Sequence, residues 1–182
     1  MNMDTFGFGQ SVGQLVQMAY VVEDIDAAIE RWVRDYRVGP WYLLDSFTGP
    51  DQTYRGAPTT ADIRLAMSFS GHMNIELIQP KDANPSVYKE VIDRRGYGFH
   101  HVGFAVRDVA GQRERLESRG YQTAFEAPVP SGGTVIYLAN DGLEPGFVEL
   151  IPATPGFDEM FTRFWRTTVG WNGEEPVRPF AP

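Results

Sequence analysis

Four side chains able to hold a cation stand at matched places in the sequence: Gln17, Glu76, His101 and Glu149. An amide, an imidazole and two carboxylates offer only oxygen and nitrogen donors. The chain has no cysteine, which excludes disulfides, thiolate zinc sites and cysteine nucleophiles. Glu76 and Glu149 fall inside apolar runs that read as strands, and burying such a carboxylate without a partner costs on the order of 2–7 kcal/mol. One divalent cation removes that difficulty. An oxygen-rich set with one imidazole suits zinc, nickel, cobalt, manganese or iron, and calcium or magnesium less well. Taken singly, each residue is explained more simply as a solvent-facing strand residue or, for His101, a hydrogen-bonded core histidine. A shared site depends on the four being equivalent, and that rests on a repeat.

Residues 14–22 read as a strand that runs into Glu-Asp-Ile-Asp-Ala-Ala-Ile-Glu-Arg-Trp-Val-Arg-Asp-Tyr. There Ile25, Ala28, Ile29, Trp32, Val33 and Tyr36 recur at helical spacing behind the capping residue Asp24. His101-Val-Gly-Phe-Ala-Val-Arg-Asp108 repeats the pattern, and Gly120 stands where a left-handed helix terminus is usual. Asp24 follows Gln17 by seven residues and Asp108 follows His101 by seven, so Gln17 and His101 are equivalent. Each copy continues into three strand-like segments, 41–47, 63–69 and 72–79 in the first and 122–126, 134–138 and 147–151 in the second. The last of each carries Glu-Leu-Ile followed soon by proline, at Glu76 and at Glu149, making the two glutamates equivalent as well.

Strand alternation puts Gln17 on one face with Ala19 and Val21, and His101 with Gly103 and Ala105. The opposite face carries Met18, Tyr20 and Val22, then Val102, Phe104 and Val106, the bulk that packs on helices. By the same alternation His100 points away from His101 and is read as packing or as support for it. His72 shares a face with Asn74 and Glu76 and is read as a rim residue within reach of a substrate. Trp41, Tyr42, Phe47 and Phe69 are assigned to the core, and Gly132-Gly133 to a turn.

The elements that must position these residues give an α+β fold of two paired βαβββ modules, residues 14–80 and 99–152. They form a curved, cupped mixed sheet with helices outside, plus a C-terminal helix. A linking helix over 81–98 is expected, with Asn84 as cap, Pro85 in its first turn and Gly96 at its end. In the C-terminal helix and tail, 153–182, residues Phe157, Met160, Phe161, Phe164, Trp165 and Thr168 lie at helical spacing, and the polar, proline-rich stretch 172–182 is expected to be loosely held. At 182 residues, 42% hydrophobic and 13% aromatic, the chain suits one compact strand-rich body. A net charge of −8 without a basic run argues against nucleic acid as partner. No apolar stretch is long enough to span a membrane and the first fifteen residues do not read as a secretion leader, so a cytoplasmic location is expected.

On these residues the chain resembles the vicinal oxygen chelate superfamily, which includes glyoxalase I, methylmalonyl-CoA epimerase, extradiol dioxygenases and bleomycin-resistance proteins. The resemblance covers roughly residues 14 to 152. It implies that each module supplies one metal ligand from its first strand and one from its last: Gln17 and Glu76, then His101 and Glu149. The amide, carboxylate, imidazole, carboxylate order is similar to some glyoxalase I sites, and His100-His101-Val-Gly-Phe after Gly96-Tyr-Gly98 is similar to the epimerase branch. The implied function is a divalent-metal-dependent isomerase, epimerase or glyoxalase-type lyase, acting on a small molecule with adjacent oxygens by proton abstraction next to a carbonyl through a metal-stabilised enolate. Glu149 is then the first candidate for the base and Glu76 the second, for the opposite face. A glutathione or CoA substrate would call for basic residues near the pocket; Arg55, Arg64, Arg94 and Arg95 are available, with nothing in their spacing to single them out. The alternatives are a non-catalytic small-molecule-binding protein of the resistance type and, less well matched because Gln17 stands where a histidine would be needed, an iron extradiol dioxygenase. A homodimer is expected, with the modules pairing either within one chain or across the dimer.

Overall fold

Both repeats open with a strand whose exit is capped by an aspartate. Asp24 accepts from the Ala27 amide at 3.0 Å and Asp108 from the Gly111 amide at 2.8 Å, each satisfying an N-terminal N–H that the helix leaves unpaired. A computed structural model describes residues 4–140 and 146–180. In chain order its elements are β1 (Leu15–Val21), α1 (Ile25–Tyr36), β2 (Trp41–Phe47), a small hairpin of β3 (Thr53–Tyr54) and β4 (Ala57–Pro58), β5 (Ile63–Ser70) and β6 (Met73–Pro80). There follow α2 (Val87–Arg95), β7 (Gly98–Val106), α3 (Val109–Glu117), β8 (Gln122–Pro128), β9 (Thr134–Ala139), β10 (Phe147–Pro152), α4 (Pro155–Thr168) and β11 (Val177–Pro179).

All the strands join one mixed sheet in the order β11-β2-β5-β6-β1-β7-β10-β9-β8-β3-β4. Each repeat contributes the same pattern: its first strand lies parallel to its last, and the middle strands follow antiparallel outward. The repeats meet where β1 runs antiparallel to β7, so they pair within a single chain. The seven gaps from β2 to β8 would span about 34 Å if flat, at about 4.8 Å each. Yet β3, only a short connection beyond β2, pairs with β8 through Thr53 opposite Glu126 and Tyr54 opposite Phe125. The six residue steps from Phe47 to Thr53 reach at most about 22 Å, so the sheet must curl into a cup whose ends approach each other.

Alternation then sorts the side chains. Met18, Tyr20 and Val22 pack outward under α1 with Trp32 and Trp41, while Val102, Phe104 and Val106 pack outward under α3 with Leu116. The inner face holds the largest cluster, closed by α4 through Phe157, Phe161 and Phe164.

Two expectations need correction, and one buried pair is new. The α2 cap is Ser86, which accepts from the Lys89 amide at 3.1 Å; Asn84 is drawn off to Thr60 instead. The tail is not loose up to Phe180: β11 runs parallel to β2, whose edge offers unpaired backbone groups. The Trp41 amide donates to Pro176 O at 2.8 Å and the Phe180 amide to Leu43 O at 3.0 Å. Finally, Phe6 and Phe8, to which the sequence pattern assigned no role, are buried and stack on each other at 5.2 Å beneath Phe157 of α4. Among the described residues no helix is long and apolar enough to cross a membrane.

Candidate metal centre

The pairing of β1 with β7 places Gln17 opposite Gly103 and Ala19 opposite His101. On the flanks β6 sets Glu76 beside Ala19, and β10 sets Glu149 beside Gly103. Gln17 and Glu149 thus flank Gly103 in one row across the sheet, while Glu76 and His101 flank Ala19 in the next. The small residue lies between the polar ones each time. A methyl group on Gly103 would stand 3.0 Å from Gln17 Cβ, 3.1 Å from its Oε1 and 3.0 Å from Ile151 Cδ1, so a side chain there would crowd the amide. The four polar side chains face into the cup and are buried, with relative exposures of 2% for Gln17, 5% for Glu76, 0% for His101 and 5% for Glu149.

His100 does not point away from His101 as simple alternation requires. The register slips by one residue between Ala19 opposite His101 and Tyr20 opposite Phe99, which makes His100 the extra residue of a β-bulge. A bulge re-aims the side chain it carries, and here it brings His100 to the inner face, against Tyr88, Tyr137 and Phe147. There His100 Nδ1 lies 2.7 Å from His101 Nδ1, and His100 Nε2 lies 3.2 Å from Val87 O.

These contacts fix the tautomers. A carbonyl oxygen only accepts, so the proton of His100 sits on Nε2. Burial, with the adjoining His101 second, pushes the His100 pKa well down and keeps the ring neutral, leaving Nδ1 as an acceptor. His101 therefore donates from Nδ1, which leaves its Nε2 aimed into the site. That nitrogen stands 3.1 Å from Glu149 Oε2 and 3.6 Å from Glu76 Oε2. Neither of these oxygens nor His101 Nε2 has a hydrogen-bond partner, although all are buried. Desolvation, with the Glu149 charge second, raises the Glu76 pKa well above the usual carboxylate range. Among the described residues no three His, Asp and Glu side chains stand in the arrangement of a formed metal site. The fit to a cation lies in the ligand set: one imidazole nitrogen and two carboxylate oxygens that converge without hydrogen-bond partners, with the Gln17 amide on the same face.

A cavity of about 100 Å³ opens on Gln17, Glu76 and Glu149. Its walls are apolar, from Phe47, Met67, Phe125 and Ile151 of the sheet to Phe157 and Phe161 of α4. Two tyrosines complete its floor, Tyr88 from α2 and Tyr137 from β9, the latter edge-on to the His101 ring at 4.9 Å. Burial together with the two glutamates raises the pKa values of both hydroxyls. Neither was singled out from sequence. Tyr137 could have been, since its strand alternation gives the face of Val135 and Ala139 and its strand borders the one bearing Glu149. Of the remaining candidates, Phe47 lines the cavity, whereas Trp41 belongs to the outer core. His72 lies outside the site, its Nδ1 2.7 Å from Phe8 O and its ring stacked on Trp165. Arg55 and Arg94 pair with Glu90, and Arg64 with Asp26 and Asp45.

The family model described as the glyoxalase/bleomycin resistance protein/dioxygenase superfamily matches residues 16–137. Among solved structures, methylmalonyl-CoA epimerase from Mycobacterium tuberculosis is similar at 21% identity and a TM-score of 0.60, over 87% of this chain and 97% of that one. A hypothetical protein from Bacillus halodurans gives 20% identity and 0.58 over 78% and 94%. A single-residue variant of Streptomyces coelicolor methylmalonyl-CoA epimerase, in complex with 2-nitronate-propionyl-CoA, gives 18% and 0.58 over 80% and 97%. No curated protein matches the sequence.

Proposed function

Because the chain belongs to the glyoxalase/bleomycin resistance protein/dioxygenase superfamily, we propose that it is a divalent-metal-dependent isomerase, epimerase or glyoxalase-type lyase. Gln17, Glu76, His101 and Glu149 would hold the ion, one of zinc, nickel, cobalt, manganese or iron. When bound, it supplies Lewis acidity to two neighbouring oxygens of a substrate. The observation that carries this reading is the convergence of His101 Nε2 and two carboxylate oxygens, all buried and none hydrogen-bonded. Acceptors brought together out of water repel one another unless a cation or a proton lies among them.

The protein's own groups then move the proton. Glu149 takes it from the carbon next to the substrate carbonyl, and the C–H electron pair shifts to the carbonyl oxygen as an enolate. Return to the same carbon from the opposite face, where Glu76 stands as second acid–base group, gives the epimer; return to the neighbouring carbon gives the isomer. The apolar walls exclude water from the charge that develops. Since the repeats already pair within one chain, any dimer would form on outer surfaces.

The test is metal content by elemental mass spectrometry after purification without chelators or a metal-binding tag, repeated on Glu149→Ala and Gln17→Ala. About one equivalent, lost or much reduced in both variants and accompanied by metal-dependent exchange of a substrate C–H proton with deuterated solvent, is the expected outcome. No metal bound or taken up overturns the reading. A non-catalytic small-molecule-binding protein then takes its place, a rival favoured by the apolar cavity beneath α4.

A further inference from the structure

The charge distribution around the cavity points to a class of substrate. Apart from Glu76 and Glu149, every group lining the inner cavity is uncharged, and among the described residues no lysine or arginine reaches it. Its outward continuation, a vestibule of about 480 Å³, shares Leu44, Pro130, Met160 and Phe180 with the inner wall. The vestibule adds one cation and one anion, Arg163 and Glu159, and Arg163 lies over the Phe164 ring at 5.2 Å. Arg55, Arg64 and Arg94 are engaged with carboxylates elsewhere. A CoA conjugate carries several phosphate charges and a glutathione conjugate two carboxylates against one ammonium, and cations at the entrance are what would pair those anions. Here the entrance is balanced and the whole chain carries −8. What the walls offer instead is aromatic and aliphatic surface: Phe47 and Phe125 from the sheet face Phe157 and Phe161 from α4.

We infer that the substrate is an uncharged, largely apolar small molecule with adjacent oxygens, such as an aromatic α-hydroxyketone, and not a CoA or glutathione conjugate. This rests on the proton-abstraction reading for its chemistry, though not for its binding. Adjacent oxygens would face Gln17, Glu76, His101 and Glu149, and a phenyl or branched alkyl group would fill the space under α4. About 25 cal/mol per Å² of apolar surface buried would drive association.

The experiment compares 2-hydroxypropiophenone, propionyl-CoA and S-lactoylglutathione as ligands of the full chain by calorimetry, with and without added cobalt, alongside solvent-deuterium exchange of the hydroxyketone C–H followed by NMR. Binding of the hydroxyketone at least 10-fold tighter than either conjugate is expected, and Met160→Lys, which puts a charge where the two cavities meet, should weaken it by 10-fold or more. Equal or tighter binding of either conjugate overturns the inference, as does failure of all three to bind. Hydroxyketone binding indifferent to cobalt and without exchange leaves the substrate class standing and removes the enzyme reading instead.

Discussion

β1 and β7 each insert one extra residue just before their polar site residue, Val16 before Gln17 and His100 before His101. The two bulges are equivalent under the repeat, and each turns a fully buried side chain to the inner face. The backbone device is the same; its filling is not. In β1 the extra side chain is a valine that joins the inner apolar cluster. In β7 it is an imidazole spanning from Val87 O to His101 Nδ1. An amide presents its oxygen whichever way its neighbours are protonated, so Gln17 needs no such partner. An imidazole offers a lone pair from Nε2 only if something accepts the proton at Nδ1. The difference teaches that a duplicated bulge first serves to widen the inner face, and that one copy has been turned to setting the tautomer of its neighbour.

The largest effect that could break this comparison is on ion binding. His101→Ala is expected to lower cobalt or zinc affinity on the order of 100-fold or more, and Gln17→Ala only about 10-fold, a gap of about 1.4 kcal/mol. Equal losses in competitive titrations would show that the two halves contribute alike. Next in size is His100→Val, which gives β7 the filling of β1. Loss of an outer partner to a ligating histidine costs about 10–100-fold in metal affinity. Leaving Val87 O without its donor costs about 1–3 kcal/mol of stability as well. Thermal unfolding separates the two effects, and a variant that keeps full affinity would show that His101 needs no orienting partner.

How much of this was legible beforehand depended on the interaction involved. The four long strands of each repeat and both aspartate caps follow from local periodicity, whereas the short β3, β4 and β11 do not, and β2 begins and ends where its pattern does, at Trp41 and Phe47. Gln17, Glu76, His101 and Glu149 were found by counting from one repeat to the other, and the sheet brings them onto one face. Alternation within one strand cannot show where His100 points, because a bulge belongs to the pairing of two strands. Tyr88 was hidden for a similar reason: α2 has weak amphipathicity, and only its seat against the inner face explains why its second residue is buried. The order of the tail does not show in its polar, proline-rich composition, because β11 is held by the free edge of β2, a partner remote in sequence.

The smallest expected effect concerns the two glutamates and runs in the opposite direction. Glu76 has a folded-state pKa raised by desolvation first and by the Glu149 charge second. Above the unfolded value of about 4.5 the native state therefore binds more protons than the unfolded state, so stability falls as pH rises, by up to about 1.4 kcal/mol per pH unit until the folded pKa is passed. Glu76→Gln removes that titration, and in metal-free protein it is expected to flatten the decline above pH 4.5 and to raise the melting temperature at neutral pH while weakening ion uptake. Glu149→Gln removes only the second cause, so the decline should persist over a narrower range. A bound divalent cation favours the ionised carboxylate and should reverse the slope in the wild-type protein. Melting curves at several pH values, with chelator and with cobalt, distinguish these cases. If Glu76→Gln is no more stable than wild type at neutral pH, Glu76 is already compensated, and the strain in the site falls on Glu149 and His101 instead.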